Sequence, residues 1–108
     1  MSNKVEEEVG PIEVEIKSKI IEKLKPTHFA IVNDSWKHSG HHGLRGASNV
    51  TESHFRITVV SPEFEGKNQP TRHRLIYKIL EQELGEKGVH ALQLNTKTPI
   101  EWESLQKK

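Results

Sequence analysis

Histidine is the residue type in this chain with the most scope for metal chemistry. The 108-residue sequence holds seven histidines and no cysteine. His38, His41 and His42 lie within five residues of one another, whereas His90 lies far along the chain. Neutral imidazole is a good ligand for iron, copper and zinc, so these side chains are candidate metal ligands. The H-x-x-H-H spacing matches no standard zinc signature, and solvated loop histidines without a metal are an equally good interpretation.

Basic residues form a second group that could bind something. Arg72, Arg74 and Lys78 surround His73 in a segment that reads as the start of a helix. Because Arg74 and Lys78 are four residues apart, they share a helix face. Such a patch could bind an acidic partner, phosphate or a carboxylate ligand such as glutathione. An ordinary solvated helix face explains the pattern equally well.

The sequence offers little support for catalysis. The lack of cysteine excludes disulfides, thiolate metal sites and cysteine nucleophiles. There is no G-x-S-x-G elbow and no phosphate-binding glycine loop followed by Lys and Ser or Thr. The net charge is +1, which gives no general attraction to nucleic acid or membranes, and no apolar run reaches the length of a membrane span. These features indicate a binding protein and not an enzyme.

The first half of the chain predicts a helix and two strands around a long loop. Apolar residues recur every four positions from Ile12 to Leu24, which predicts a helix that begins at Pro11 and ends before Pro26. Residues 28–34 and 54–60 predict strands, and Phe55, Ile57 and Val59 alternate with polar residues in the second. We expect these strands to pair antiparallel, since no helix separates them. Residues 35–52 predict a loop that is long for a compact domain.

The second half predicts two more helices and a third strand. Pro70 opens a helix whose apolar stripe includes Leu75, Ile76, Ile79, Leu80 and Leu84, and which Gly85 and Gly88 end. Residues 89–95 predict a strand, and Thr98 with Glu101 forms a capping box for a last helix. The order α-β-β-α-β-α predicts an α+β domain over residues 10–108, with a three-stranded sheet covered on one face by helices. Residues 1–9 predict a flexible acidic tail.

Several segments together resemble the BolA family. They are Ser53-His54-Phe55-Arg56, Val59-Val60-Ser61, Phe64-Glu65-Gly66, Arg72-His73-Arg74-Leu75, His90-Ala91-Leu92, and Thr98-Pro99 with Trp102. The resemblance runs from about residue 11 to residue 105. The F-x-G, R-H-R and V-H-A segments at these spacings are specific as a combination. The resemblance implies the BolA fold, similar in topology to class II KH domains.

The resemblance also implies a cofactor, a partner and ligands. Family members partner monothiol glutaredoxins and share a [2Fe–2S] cluster, with glutaredoxin cysteine and glutathione on one iron and two BolA ligands on the other. One ligand is the histidine of the V-H-A segment, which corresponds to His90. The other lies in the loop after the first strand and corresponds to His38, with His41 and His42 as alternatives. Alone, the protein is expected to be a monomer without the cluster.

The function implied is that of an adaptor in iron–sulfur cluster assembly and delivery to client proteins. In that role Arg72, His73, Arg74 and Lys78 are expected to border the glutaredoxin-facing surface. The alternative is a nucleic-acid-binding transcriptional regulator, since the fold is KH-like. Gly43-Leu44-Arg45-Gly46 is a G-x-x-G sequence, but it lies between two strands and not between helices. Histidine-type eukaryotic members imply the mitochondrial matrix; because the N-terminus is acidic, the cytoplasm is the alternative.

Overall fold

The computed structural model describes residues 10–34 and 52–107, and most of these residues lie in helices and strands. The described elements are helix α1 (Pro11–Leu24), strands β1 (His28–Asn33) and β2 (His54–Val60), a 3₁₀ turn (Pro62–Phe64), helices α2 (Gln69–Ile79) and α3 (Glu81–Gly85), strand β3 (Ala91–Lys97) and helix α4 (Pro99–Gln106). The predicted element order is confirmed, except that two helices lie where one was predicted between β2 and β3. The predicted loop lies outside the described residues except for Glu52.

Helix α1 follows the predicted four-residue period. Ile16, Ile20 and Leu24 are buried on one face, whereas Val14 and Ile21 are exposed. Lys25 adopts a left-handed conformation at the C-terminus, and its backbone N–H donates to the Ile21 carbonyl at 3.0 Å. This is a common way for a helix to end, and it directs the chain into β1.

The N-terminus of α1 is held by a carboxylate from another part of the chain. Glu52 Oε1 accepts from the backbone N–H of Ile12 at 3.2 Å, and Glu52 Oε2 accepts from that of Glu13 at 2.8 Å. The first N–H groups of a helix have no partner within it, so a buried carboxylate here satisfies two of them. A side chain at Gly10 would overlap the same carboxylate. Glu52 therefore fixes the start of α1 beside the start of β2.

The sheet is mixed, in the order β1-β2-β3. Strand β1 pairs antiparallel with β2, as predicted, and β3 pairs parallel with β2. The first strand ends at Asn33, although the Asp34 N–H still donates to the His54 carbonyl at 2.8 Å. The third strand is predicted at residues 89–95 but lies two residues later, at Ala91–Lys97. Val89 lies outside the strand, because its N–H donates to the Glu83 carbonyl of α3.

The predicted helix from Pro70 is two helices. The helical conformation is interrupted at Leu80, where φ is −101° and ψ is 20°. Helix α3 follows and ends at Gly85. The Thr98–Glu101 capping box at the start of α4 is confirmed, with both of its hydrogen bonds formed. No described helix is both long enough and apolar enough to cross a membrane.

One face of the sheet carries the core. Phe55, Ile57 and Val59 of β2 point toward α1 and α2, as their alternation predicts. The buried apolar cluster consists of Ile16, Ile20, Leu24, Phe55, Ile57, Val59, Phe64, Ile76, Leu80 and Val89. Alternate residues form the opposite, more open face, which is bounded at one end by Trp102 of α4 stacked on His28 with ring centroids 4.7 Å apart.

Candidate metal-ligand site

His90 lies immediately before β3 at one end of the sheet. Its backbone N–H donates to the Ser53 carbonyl at 2.8 Å, so the main chain at this position is fixed against the start of β2. Its side chain is exposed. A fixed backbone with an exposed imidazole suits a ligand that has to meet a metal brought from outside the chain.

A second imidazole lies beside His90. The parallel register places His54 opposite Ala91, and the His54 and His90 ring centroids are 6.1 Å apart. Ser53 Oγ lies 2.8 Å from His54 Nδ1, which orients the His54 ring. In the sequence His54 belongs only to a segment that resembles the BolA family, and its proximity to His90 could not be predicted because it depends on how β2 and β3 pair.

The donors that the described residues offer fit a borderline metal but are too few to hold one. Imidazole is a good ligand for iron, copper and zinc. Within residues 10–34 and 52–107, no three histidine, cysteine, aspartate or glutamate side chains are grouped as metal ligands would be. Any metal at His90 therefore needs further donors from elsewhere. The predicted ligands His38, His41 and His42 lie outside the described residues, so their roles stay predictions.

Arg72, which is predicted to border a partner surface, is buried in the fold. It is 5% exposed, and its guanidinium points inward. Nε donates to the Lys67 carbonyl at 2.7 Å, and Nη1 donates to the Thr96 carbonyl at 3.1 Å and to Glu101 Oε1 at 2.8 Å. These contacts join α2, β3 and α4 within one chain, and the partner-binding role of Arg72 stays a prediction.

Arg72 and His90 also lie at opposite ends of β3. Arg72 binds the Thr96 carbonyl near the end of the strand, whereas His90 precedes its first residue. Six residues of strand span roughly 20 Å. A partner that contacts His90 would therefore approach a different end of the sheet.

The other basic residues of α2 remain accessible. Arg74 and Lys78 are exposed and His73 is half-buried. Arg74 Nη2 donates to Thr71 Oγ1 at 3.3 Å, a contact at the surface. The helix runs from Gln69, which binds the Thr96 carbonyl, toward α3, whose Glu83 carbonyl accepts from Val89. Lys78 is thus nearer than Arg72 to the His90 end, and the partner-binding role of His73, Arg74 and Lys78 stays a prediction.

A charged pair on the open face of the sheet joins Arg56 of the central strand to Asp34, which follows β1. Arg56 Nε donates to Asp34 Oδ2 at 2.6 Å, and Arg56 Nη2 donates to Asp34 Oδ1 at 3.2 Å. This bidentate hydrogen bonding raises the pKa of Arg56. The neighbouring side chains Thr58, Gln93 and Asn95 are uncharged. Ala30 and Val32 lie beside these polar groups, so the surface is mixed, and its arginine is paired with Asp34.

Together these features define a small α+β domain with a mixed three-stranded sheet and an exposed histidine at one end. The chain belongs to the BolA-like protein family, whose model matches residues 20–101. The resemblance found in the sequence is thereby confirmed.

Relatives across eukaryotes support the assignment. The chain is 46% identical over 81 residues to the UV-induced protein uvi31 of Schizosaccharomyces pombe, covering 74% of this chain and 78% of that protein. It is 39% identical over 94 residues to human BolA-like protein 1, covering 87% of this chain and 63% of that protein.

Solved structures confirm the BolA fold. BolA1 from Arabidopsis thaliana superimposes with a TM-score of 0.73 at 40% identity, over 82% of this chain and 92% of that one. The solution structure of BolA1 from Mus musculus gives a TM-score of 0.70 at 38% identity, over 90% of this chain and 72% of that one.

Proposed function

We propose that this protein is an iron–sulfur cluster adaptor that shares a [2Fe–2S] cluster with a monothiol glutaredoxin and passes it to client proteins. The observation that carries the proposal is His90, an exposed imidazole on a fixed backbone at the end of the sheet, in a BolA-like chain without cysteine. The cluster is the cargo, and the glutaredoxin and its glutathione bind one of the irons.

In this proposal two imidazoles of the chain bind the other iron. His90 is the first, and His38 is the second, with His41 and His42 as alternatives. Histidine in place of cysteine on one iron of such a cluster raises its reduction potential. The incomplete donor set at His90 among the described residues is consistent with a site that forms only when the cluster arrives with a partner.

The partner would meet the chain near Arg74 and Lys78. Both side chains are exposed on α2, and their charge would increase the rate of association with an acidic surface. Because a rim charge acts mainly on association, substituting both residues with Glu should slow complex formation and weaken its salt dependence. If nuclear magnetic resonance titration with the glutaredoxin shifted only residues distant from α2, this part of the proposal would fail.

Visible absorption of a reconstituted mixture tests the proposal directly. The protein is mixed with a glutathione-loaded, cluster-bearing monothiol glutaredoxin, and the spectrum is compared with that of the glutaredoxin alone. We expect a cluster-bridged heterodimer with an altered spectrum, and His90→Ala should abolish it. His28→Ala is the matched control, because His28 is also exposed but lies beside Trp102 at the opposite end of the sheet. A His90→Ala protein that still gave the wild-type spectrum would exclude this assignment.

Nucleic-acid binding is the competing function, and one observation counts against it. Phosphate backbones are bound by available Lys and Arg side chains. The central arginine of the open face is already paired with Asp34. Salt-dependent DNA binding at micromolar protein, without any requirement for His90, would favour this function over the adaptor.

We propose the mitochondrial matrix as the site of action, on the strength of the resemblance to histidine-type eukaryotic members. Expression of the full-length protein with a C-terminal fluorescent tag would test this location. Exclusively cytoplasmic fluorescence would contradict it.

A further inference from the structure

The two edges of the sheet are protected differently. At the β3 edge, the Thr96 carbonyl accepts from Arg72 Nη1 at 3.1 Å and from Gln69 Nε2 at 3.2 Å. The Ser61 N–H donates to the Lys97 carbonyl, so the Thr96 carbonyl, one residue earlier, points away from β2. Side chains of α2 therefore cover this edge at Thr96.

At the β1 edge, no side chain among the described residues bonds to the backbone groups of Phe29 and Ile31. The Asp34 N–H donates to the His54 carbonyl, which shows that even-numbered positions of β1 direct their N–H and C=O groups toward β2. The odd-numbered positions Phe29 and Ile31 direct theirs outward. Exposed edges usually carry a lysine, a proline or a bulge that prevents further pairing. Residues 28–33 contain no Lys, Arg, Asp, Glu or Pro.

An apolar groove runs along this edge. It lies between α1 and β1 and has a volume of about 690 Å³. Val14 and Ile21 on its helix side are 52% and 42% exposed, respectively. Phe29 and Ile31 on its strand side are half-buried against the core. A chain that paired with the outward backbone groups of β1 could bury alternate side chains in this groove.

The charges on the groove favour a cationic occupant. Glu13 and Glu22 line it near its two ends, with Lys17 between them. Burial, and then the nearby carboxylate of Glu52, raise the pKa of Glu13. Glu52 is fixed in place by its bonds to the start of α1, so the repulsion cannot relax easily. A cation from a partner would stabilise the Glu13 carboxylate.

We propose that the β1 edge and the α1–β1 groove bind an extended segment of a partner protein with alternating apolar residues and basic residues at its ends. The segment extends the sheet by one strand beside β1. Its apolar side chains contact Val14 and Ile21, and its basic residues meet Glu13 and Glu22. A second copy of this chain fits less well, because it would present no cation within β1 and would bring another Glu13 and Glu22 to the groove. This surface is independent of His90.

A pair of synthetic peptides tests the surface. The first is a capped heptapeptide with valine and threonine alternating between two terminal lysines, and the second has glutamate in place of each lysine. We expect the lysine peptide to shift the amide resonances of β1 and α1, and to slow hydrogen exchange at Phe29 and Ile31 but not at Ala30, which is already bonded to β2. The glutamate peptide should bind about tenfold more weakly at low salt.

Two lysine substitutions, at residues of similar exposure, test whether the peptide binds in the groove. Ile21→Lys places a charge within the groove and should weaken binding of the lysine peptide about tenfold. Tyr77→Lys is the control, because Tyr77 is also 42% exposed but lies on α2 outside the groove, and it should leave affinity unchanged. Far-ultraviolet circular dichroism checks that both variants fold.

Three outcomes would overturn the proposal. The first is equal binding of both peptides, or shifts confined to other surfaces. The second is slow exchange at Phe29 and Ile31 in the free protein, which would show that another segment of the chain, such as residues 35–51, already covers the edge. The third is a dimer in sedimentation that Ile21→Lys dissociates, which would identify a second copy as the occupant.

Discussion

Arg72 Nη1 lies 2.8 Å from Glu101 Oε1, and Nη2 of the same guanidinium lies 3.2 Å from Glu101 Oε2. The bond is bidentate, and the guanidinium also binds the Thr96 carbonyl while Nε binds the Lys67 carbonyl. Glu101 in turn accepts from the Thr98 N–H at 2.9 Å as part of the α4 capping box. One buried cation thus joins α2, the end of β3 and the start of α4.

Replacing Arg72 should therefore destabilise the fold. Arg72→Ala removes four hydrogen bonds and leaves the Thr96 carbonyl with fewer donors, so we expect a loss of about 2–3 kcal/mol in the free energy of unfolding. Arg72→Lys should rescue little, since ammonium cannot form the bidentate pair. Urea denaturation measures the loss. Arg74→Ala, two residues away and exposed, is the control and should change stability by less than about 0.5 kcal/mol. Equal effects at both positions would refute the structural role.

The same pair predicts how stability depends on pH. Hydrogen bonds from Arg72, and then from the Thr98 backbone, lower the pKa of Glu101 to about 2. A carboxylate with a lowered pKa stabilises the fold above its unfolded pKa of 4.5, and this contribution is lost as pH falls toward 2. Because Glu101 is partly exposed, solvent screening reduces the contribution to about 1 kcal/mol.

Thermal unfolding of Glu101→Gln between pH 7 and pH 2 tests this dependence. The wild-type protein should have the higher midpoint at pH 7, and the difference should shrink as the pH falls through the window from 4.5 to about 2. Glu103→Gln serves as the control, because Glu103 lies in the same helix and forms only a 3.9 Å surface pair with Lys107. A difference that persisted unchanged at pH 2 would contradict the assignment to Glu101.

Local patterns in the sequence predicted most of the elements. The burial of Ile16, Ile20 and Leu24 follows from helical periodicity, and the Thr98–Glu101 capping box depends on residues three apart. The burial of Arg72 could not be predicted in this way, because its partner lies 29 residues away and meets it only after folding. The proximity of His54 to His90 likewise needs the parallel pairing of β2 with β3. The third strand was misplaced because the apolar Val89 looks like a strand residue but packs into the core before the sheet begins.

The contact between Gly10 and Glu52 gives a second stability prediction. A methyl group at Gly10 would overlap the Glu52 carboxylate that caps α1, so Gly10→Ala must displace the cap. We expect a loss of about 1 kcal/mol, the usual value for a helix cap. Gly85→Ala is the matched control, because nothing lies within 4 Å of an added methyl there, and it should be neutral or slightly stabilising.

A double-mutant cycle measured by chemical denaturation separates this contact from backbone effects. If Gly10→Ala acts through Glu52, its cost should largely disappear in a Glu52→Ala background. An undiminished cost in that background would show that the backbone conformation at Gly10, and not the carboxylate, is responsible.

The last prediction concerns His90 and rests on the proposed cluster. A thiolate donates more charge to iron than imidazole does, and clusters with two histidine ligands have higher reduction potentials than clusters bound by cysteine alone. His90→Cys should therefore keep the bridged complex with glutaredoxin, shift its visible spectrum and lower its reduction potential by on the order of 100 mV. A redox titration followed by visible absorption measures the potential. His28→Cys supplies a cysteine at the opposite end of the sheet and should leave spectrum and potential unchanged. His54→Ala should alter the spectrum only if the ring beside His90 also contacts the cluster, since its removal leaves the His90 main chain bonded to Ser53. If His90→Cys left the potential of the bridged cluster at the wild-type value, His90 would not be an iron ligand.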